Sequence, residues 1–111
     1  MYYIYMLRCS NNSIYTGLTT DLNRRINEHI SKDKKCAKYM LHNTAIRLEM
    51  AWETETRAQA SKLEYWIKKM PKKQKEDLVK NSSIFEKLLT KKLDCSKYKQ
   101  VTVTLVIDYI E

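Results

Sequence analysis

The 111 residues hold one glycine (Gly17), one proline (Pro71) and one phenylalanine. So few chain breakers exclude a flexible linker, a Pro-rich tract or a low-complexity segment, and the chain reads as continuous structure. Cysteine is also scarce. Cys9, Cys36 and Cys95 are odd in number and widely spaced, which argues against a disulfide framework or a CxxC zinc pattern and suits reduced thiols. No apolar run approaches the ~18 residues of a membrane span. The apolar opening Met1–Leu7 stops at Arg8 without a small-residue cleavage pattern, so it does not read as a secretory signal. The expectation is a cytoplasmic chain with no membrane partner.

What is present is charge. Charged residues make up 31% and hydrophobic residues 43%, and the net charge is +8 with a pI near 9.4. The length suits one domain with a modest core. The excess of positive charge points to a polyanion, with nucleic acid ahead of a membrane surface.

Tyr2–Arg8 is aromatic and branched and reads as a strand. Cys9–Ser13 is turn chemistry, and Ile14–Leu18 is a second strand, together a hairpin. Thr20 suits a helix N-cap, with Leu22, Ile26, His29 and Ile30 on one helical face. Lys35–Leu41 is a further helical stretch. Ile46, Leu48, Met50 and Trp52 alternate as a strand. Thr56 with Gln59 forms a capping-box start for a helix whose apolar face is Ala60, Leu63, Trp66, Ile67 and Met70. Pro71 sits in the first turn of a helix through about Asn81, Ile84–Leu89 is helical, and Val101–Tyr109 alternates as a late strand. The fold class is α+β: a small antiparallel sheet of about three strands flanked by helices, with an extra C-terminal strand. Residues 1–90 make the domain and 91–111 an extension.

Three groups carry chemistry. In the hairpin, pairing Arg8 with Asn12 across a three-residue loop sets Tyr5 opposite Tyr15, and a register shifted by two keeps both on one face. Gly17 shares that face and leaves room for a backbone or phosphate; a plain aromatic packing pair is the alternative. On the first helix, Arg25 and His29 are neighbours at i, i+4 beside the apolar stripe, while Arg24 points to solvent or a phosphate. On the later helix, Glu64 borders the apolar face, suited to a cation or to an ion pair with Lys68. Residues 62–80 add an excess of four positive charges, including Lys68, Lys69, Lys72 and Lys73, which fits phosphate contacts without base reading or simply a solvated surface.

Taken together, Tyr3-Ile4-Tyr5, then Tyr15-Thr16-Gly17, then Arg25, His29, Lys38-Tyr39 and Ala60-Ser-Lys-Leu-Glu64, resemble the GIY-YIG nucleases over about residues 2–80. The likeness is to the small stand-alone bacterial members and the nuclease domain of Slx-type resolvases. Tyr3 replaces the signature's glycine, Thr16 its isoleucine, and Leu18 a lysine found in some repair-type members. The resemblance implies a metal-dependent endonuclease acting on DNA in repair, recombination or processing, structure-selective or weakly sequence-specific. Tyr5 would help activate water, and Tyr15 would orient water or the scissile phosphate. Arg25 would contact that phosphate, Glu64 would hold one Mg2+ (or Mn2+), and His29 sits where relatives carry tyrosine or histidine. Arg24, Lys38, Lys68, Lys69, Lys72 and Lys73 are expected to meet the DNA backbone. Two rival readings remain: a non-catalytic nucleic-acid-binding module, and a protein-interaction domain that pairs with a partner protein or a second copy through the C-terminal strand.

Overall fold

The computed structural model describes residues 1–31 and 43–101. The expected helix at Lys35–Leu41, with Lys38, and all of the expected Val101–Tyr109 strand beyond Val101 lie outside them. Strands β1 (Tyr2–Cys9), β2 (Ile14–Thr19), β3 (Ala45–Thr54) and β4 (Lys99–Gln100) form an antiparallel sheet in the order β2-β1-β3-β4. Helices α1 (Leu22–Ser31), α2 (Arg57–Lys69), α3 (Lys72–Lys80) and the short α4 (Phe85–Leu89), with 3-10 turns at Ser82–Ile84 and Cys95–Lys97, complete the described architecture. This is the α+β class the patterning predicts, with a fourth, two-residue edge strand beside β3.

Alternation along β1 divides the interior into two layers. Ile4 and Met6 pack with Met50 and Trp52 against Leu63 and Ile67 of α2, Leu78 of α3, and Phe85 and Leu89 of α4. Tyr5, Leu7 and Cys9 face the other way, onto Ile26 of α1. The sheet is thus a wall between α1 and the remaining helices, and each inward side chain is committed to one side by its parity. Leu93, Cys95 and Tyr98 join the larger layer, and the Tyr98 hydroxyl donates to the Gln59 carbonyl at 2.7 Å.

Several local details differ from the sequence reading. The hairpin loop has three residues, but it closes between Cys9 and Ser13, where Cys9 N–H donates to Ser13 O at 2.9 Å. Asn12 takes the left-handed conformation (φ 67°) that such loops require, a role asparagine tolerates. The register therefore moves by two: Tyr5 pairs with Gly17 and Leu7 with Tyr15. Asp21, rather than Thr20, caps α1, its carboxylate accepting from Arg24 N–H at 3.1 Å. Thr56 caps α2 by accepting from Gln59 N–H at 3.1 Å, yet the capping box is only half made, because the Gln59 side chain accepts from the Thr54 hydroxyl instead. Pro71 stands one position before α3 in an extended conformation rather than inside its first turn.

One inward charge escaped the sequence reading. Arg8 follows Ile4 and Met6 on the larger layer and is 6% exposed. Its guanidinium meets Glu76 of α3 in a bidentate pair at 2.6 and 2.6 Å and Glu49 of β3 at 2.9 Å. These bonds tie β1, β3 and α3 together and satisfy a charge that burial alone would make costly. The parity of Arg8 was the available signal.

Candidate active site

The smaller layer opens into a polar cluster built by three elements. Tyr5 comes from the middle of β1, Tyr15 from the start of β2, and Arg25 and His29 from successive turns of α1. Tyr5 and His29 are both 1% exposed, and the Tyr5 Oη lies 2.8 Å from His29 Nε2. Tyr15 is half-buried; its ring centroid is 6.3 Å from that of Tyr5 and 5.6 Å from that of His29, edge-on to the imidazole. Arg25 donates to Glu28 at 2.8 Å, and its charge acts on Tyr5.

The space at Gly17 is already filled, contrary to the expectation that a phosphate approaches there. A Cβ at this position would lie 2.5 Å from Tyr5 Cζ, so glycine is needed for the phenol to cross β2. Gly17 has an ordinary negative φ, and space rather than backbone freedom fixes the residue.

Electrostatics make the Tyr5–His29 pair neutral. Burial pushes the Tyr5 phenol well above its ordinary range, and the Tyr15 phenol and Glu64 add to this, against the lowering effect of Arg25. Burial, followed by the Arg25 charge, holds the His29 pKa down at about 4. With both groups neutral, a phenol that donates to His29 Nε2 leaves the imidazole proton on Nδ1. That Nδ1 is buried with no hydrogen-bond partner among the described residues. Burial also works against the Arg25 charge, but the bond to Glu28 and the nearby Tyr5 outweigh it and raise its pKa.

Glu64 comes from α2, half-buried and paired with Lys68 at 3.2 Å, as its spacing allowed. Its charge is felt at Tyr5. Among the described residues no three His, Cys, Asp or Glu side chains cluster to hold a metal. A hard cation held through one carboxylate, with water and substrate oxygens completing its shell, fits such a glutamate; a zinc-type cage does not.

The basic residues separate into two sets. Lys68, Lys69, Lys72 and Lys73 lie on α2 and α3, engaged with Glu64, the Tyr65 ring, Glu76 and Asp77 respectively. Arg24 is exposed, pairs with Glu28 at 3.1 Å and lines a cleft with Arg25. Two residues of that cleft, Glu28 and Arg57, were missed from sequence. Glu28 was legible as the i+4 and i+3 partner of Arg24 and Arg25. Arg57 was legible only as a basic residue in a first helical turn.

The GIY-YIG catalytic domain family matches residues 1–77. A UPF0213 protein of Fusobacterium nucleatum is 41% identical over 86 residues, spanning 78% of this chain and 84% of that protein. The UPF0213 protein YhbQ of Salmonella arizonae is 38% identical over 89 residues, 80% of this chain and 87% of that one. Among solved structures, the solution NMR structure of the UPF0213 protein BH0048 from Bacillus halodurans is 38% identical, with a TM-score of 0.47 over 72% of this chain and 84% of the other.

Proposed function

Since the chain belongs to the GIY-YIG catalytic domain family, a family of endonucleases, we propose that it is a metal-dependent endonuclease hydrolysing DNA phosphodiester bonds. It would select DNA by structure or by weak sequence preference, in repair, recombination or processing. The observation that carries this reading is the buried Tyr5–His29 hydrogen bond with the Arg25 charge acting on it and Tyr15 at its margin. Packing alone does not require a buried phenol hydrogen-bonded to an imidazole beside an arginine.

Hydrolysis needs a deprotonated water, relief of charge on the phosphate and departure of an oxyanion. Tyr5 cannot act as a standing phenolate, because burial raises its pKa. It can act as a relay: the water proton passes to Tyr5 Oη while the Tyr5 proton passes to His29 Nε2, so no phenolate accumulates. The resulting imidazolium is disfavoured by burial and by Arg25. A substrate phosphate paired with Arg25 offsets the second of these and makes His29 a better acceptor at the moment it is needed. Arg25 offers forked donors to the non-bridging oxygens, exchanging part of its bond to Glu28 for the phosphate. Tyr15 flanks the imidazole and orients the water or the phosphate. Glu64 would hold a divalent cation, Mg2+ or Mn2+, which supplies Lewis-acid stabilisation of the leaving oxygen.

The deciding experiment incubates branched, nicked and single-stranded DNA with the protein in Mg2+, in Mn2+ and in chelator, beside Glu64→Ala and Arg25→Ala. Metal-dependent cutting lost in both variants is the expected result. No cutting under any condition, or cutting unchanged in both variants, overturns the proposal; binding that persists without cutting identifies a binding module instead.

A further inference from the structure

Beside the tyrosine cluster lies a cleft of about 350 Å3 between the end of β2, the first turns of α1 and the start of α2. Thr19, Thr20, Arg24, Arg25, Glu28 and Arg57 line it. Three guanidinium groups thus share one cleft with a single carboxylate. Glu28 divides itself between Arg24 at 3.1 Å and Arg25 at 2.8 Å. Arg24 has a second, exposed and looser partner in Asp21 at 3.8 Å. Arg57 has no ion-pair partner among the described residues.

The placement of these arginines opposes helix stability. Arg24 and Arg25 stand in the first turn of α1, and Arg57 is the first residue of α2; neither first turn carries an acid. The N-terminal end of a helix carries partial positive charge, which adds to that of basic residues there; at α1 the Asp21 carboxylate offsets part of it, and at α2 no acid does. Three guanidiniums, against Glu28 and the exposed Asp21 cap, leave an excess of positive charge contiguous with Arg25.

We propose that this cleft binds a second phosphate of the substrate strand, the neighbour of the phosphate at Arg25, with Arg57 as principal ligand and Arg24 assisting. The proposal rests on the phosphodiester reading of the site. It gives the strand a direction, from the tyrosine cluster toward the start of α2. It also gives Glu28 a role as the resident counter-ion that holds Arg24 and Arg25 in place until phosphates arrive. Arg57 here is a binding residue and takes no part in bond breaking.

The test compares Arg57→Gln with Arg47→Gln. Arg47 is an exposed arginine of β3 paired across from Arg8, at the far end of β1 from Thr19, and its replacement removes the same charge. Affinity for a fluorescently labelled nicked duplex is measured by anisotropy in chelator over a salt series, and cleavage kinetics are then taken with metal. Arg57→Gln is expected to weaken binding about five- to tenfold at low salt and to shrink the log–log salt slope by about 0.9, the loss of one phosphate contact. KM should rise with kcat kept within about twofold, whereas Arg25→Ala lowers kcat. Arg57→Lys should restore the salt slope. Equal effects of the Arg57 and Arg47 substitutions, or a slope unchanged by Arg57→Gln, overturn the cleft assignment. If Arg57→Gln alone weakens binding but the wild type never cuts, the phosphate site stands and the nuclease reading falls.

Discussion

Tyr5 Oη and His29 Nε2 lie 2.8 Å apart, and each side chain is 1% exposed. Both atoms are shielded from bulk solvent, so the bond links packing to the proposed chemistry. Tyr5→Phe keeps the ring and removes only the hydroxyl. It is expected to lower the cleavage rate by about 10²–10⁴-fold, the range of a lost proton-transfer group. It should also destabilise the fold by about 1–3 kcal/mol, because His29 Nε2 is left buried without a partner. Single-turnover cleavage and urea denaturation measure the two effects. A destabilisation with full activity would show the pair to be structural.

Gly17 supplies the space Tyr5 occupies. Gly17→Ala is expected to cost about 1–3 kcal/mol through overpacking, and to lower activity by displacing the phenol. In a Tyr5→Ala background the same change meets no ring and should cost less than about 0.5 kcal/mol. A double-mutant cycle by denaturant melts reads this coupling directly. Additive costs would mean that the glycine serves some other purpose.

The placement of these residues is partly legible in the sequence. Alternation in Tyr2–Arg8 and the i, i+4 spacing of Arg25 and His29 are local patterns, and both survive in the fold. What depends on distance along the chain does not show. The two-residue slip of the hairpin is invisible because either register keeps Tyr5 and Tyr15 on one face. The use of Gly17 follows from that slip, since the glycine looks vacant until Tyr5 is set opposite it. Arg8 and Glu76 are 68 residues apart, and no periodicity couples them. Arg57 belongs to a cleft only once the start of α2 is brought beside α1.

His29 should make the fold sensitive to mild acid. Its pKa falls from an ordinary 6.5 to about 4 in the folded protein. Between those values the unfolded chain binds a proton that the folded chain refuses. Stability from this group is therefore complete above pH 6.5 and declines as pH falls toward 4, by up to about 1.4 kcal/mol per pH unit. His29→Gln retains an acceptor for the Tyr5 hydroxyl but does not titrate. Thermal melts from about pH 7 to 4 are expected to slope downward in the wild type and to flatten over that window in the variant. Parallel slopes would show that His29 gains a proton as easily folded as unfolded.

Glu76 should govern a lower window. Its hydrogen bonds to Arg8, with desolvation opposing and Lys72 assisting, hold the carboxyl at about 2 against an ordinary 4.5. A depressed carboxylate contributes stability that is complete above about 4.5 and is lost as pH falls through about 2. Glu76→Gln removes this titration and leaves the Arg8 guanidinium with Glu49 as its remaining acid partner. At neutral pH the variant is expected to lose about 1–3 kcal/mol, the cost of under-satisfying a buried charged donor. Below pH 4.5 its melting temperature should fall less steeply than that of the wild type, so the two curves converge toward pH 2. The His29→Gln protein, melted over the same range, should keep the lower slope that Glu76→Gln loses. Convergence absent from the melts, or both variants flattening the same window, would separate the Arg8 clamp from the acid response of the fold.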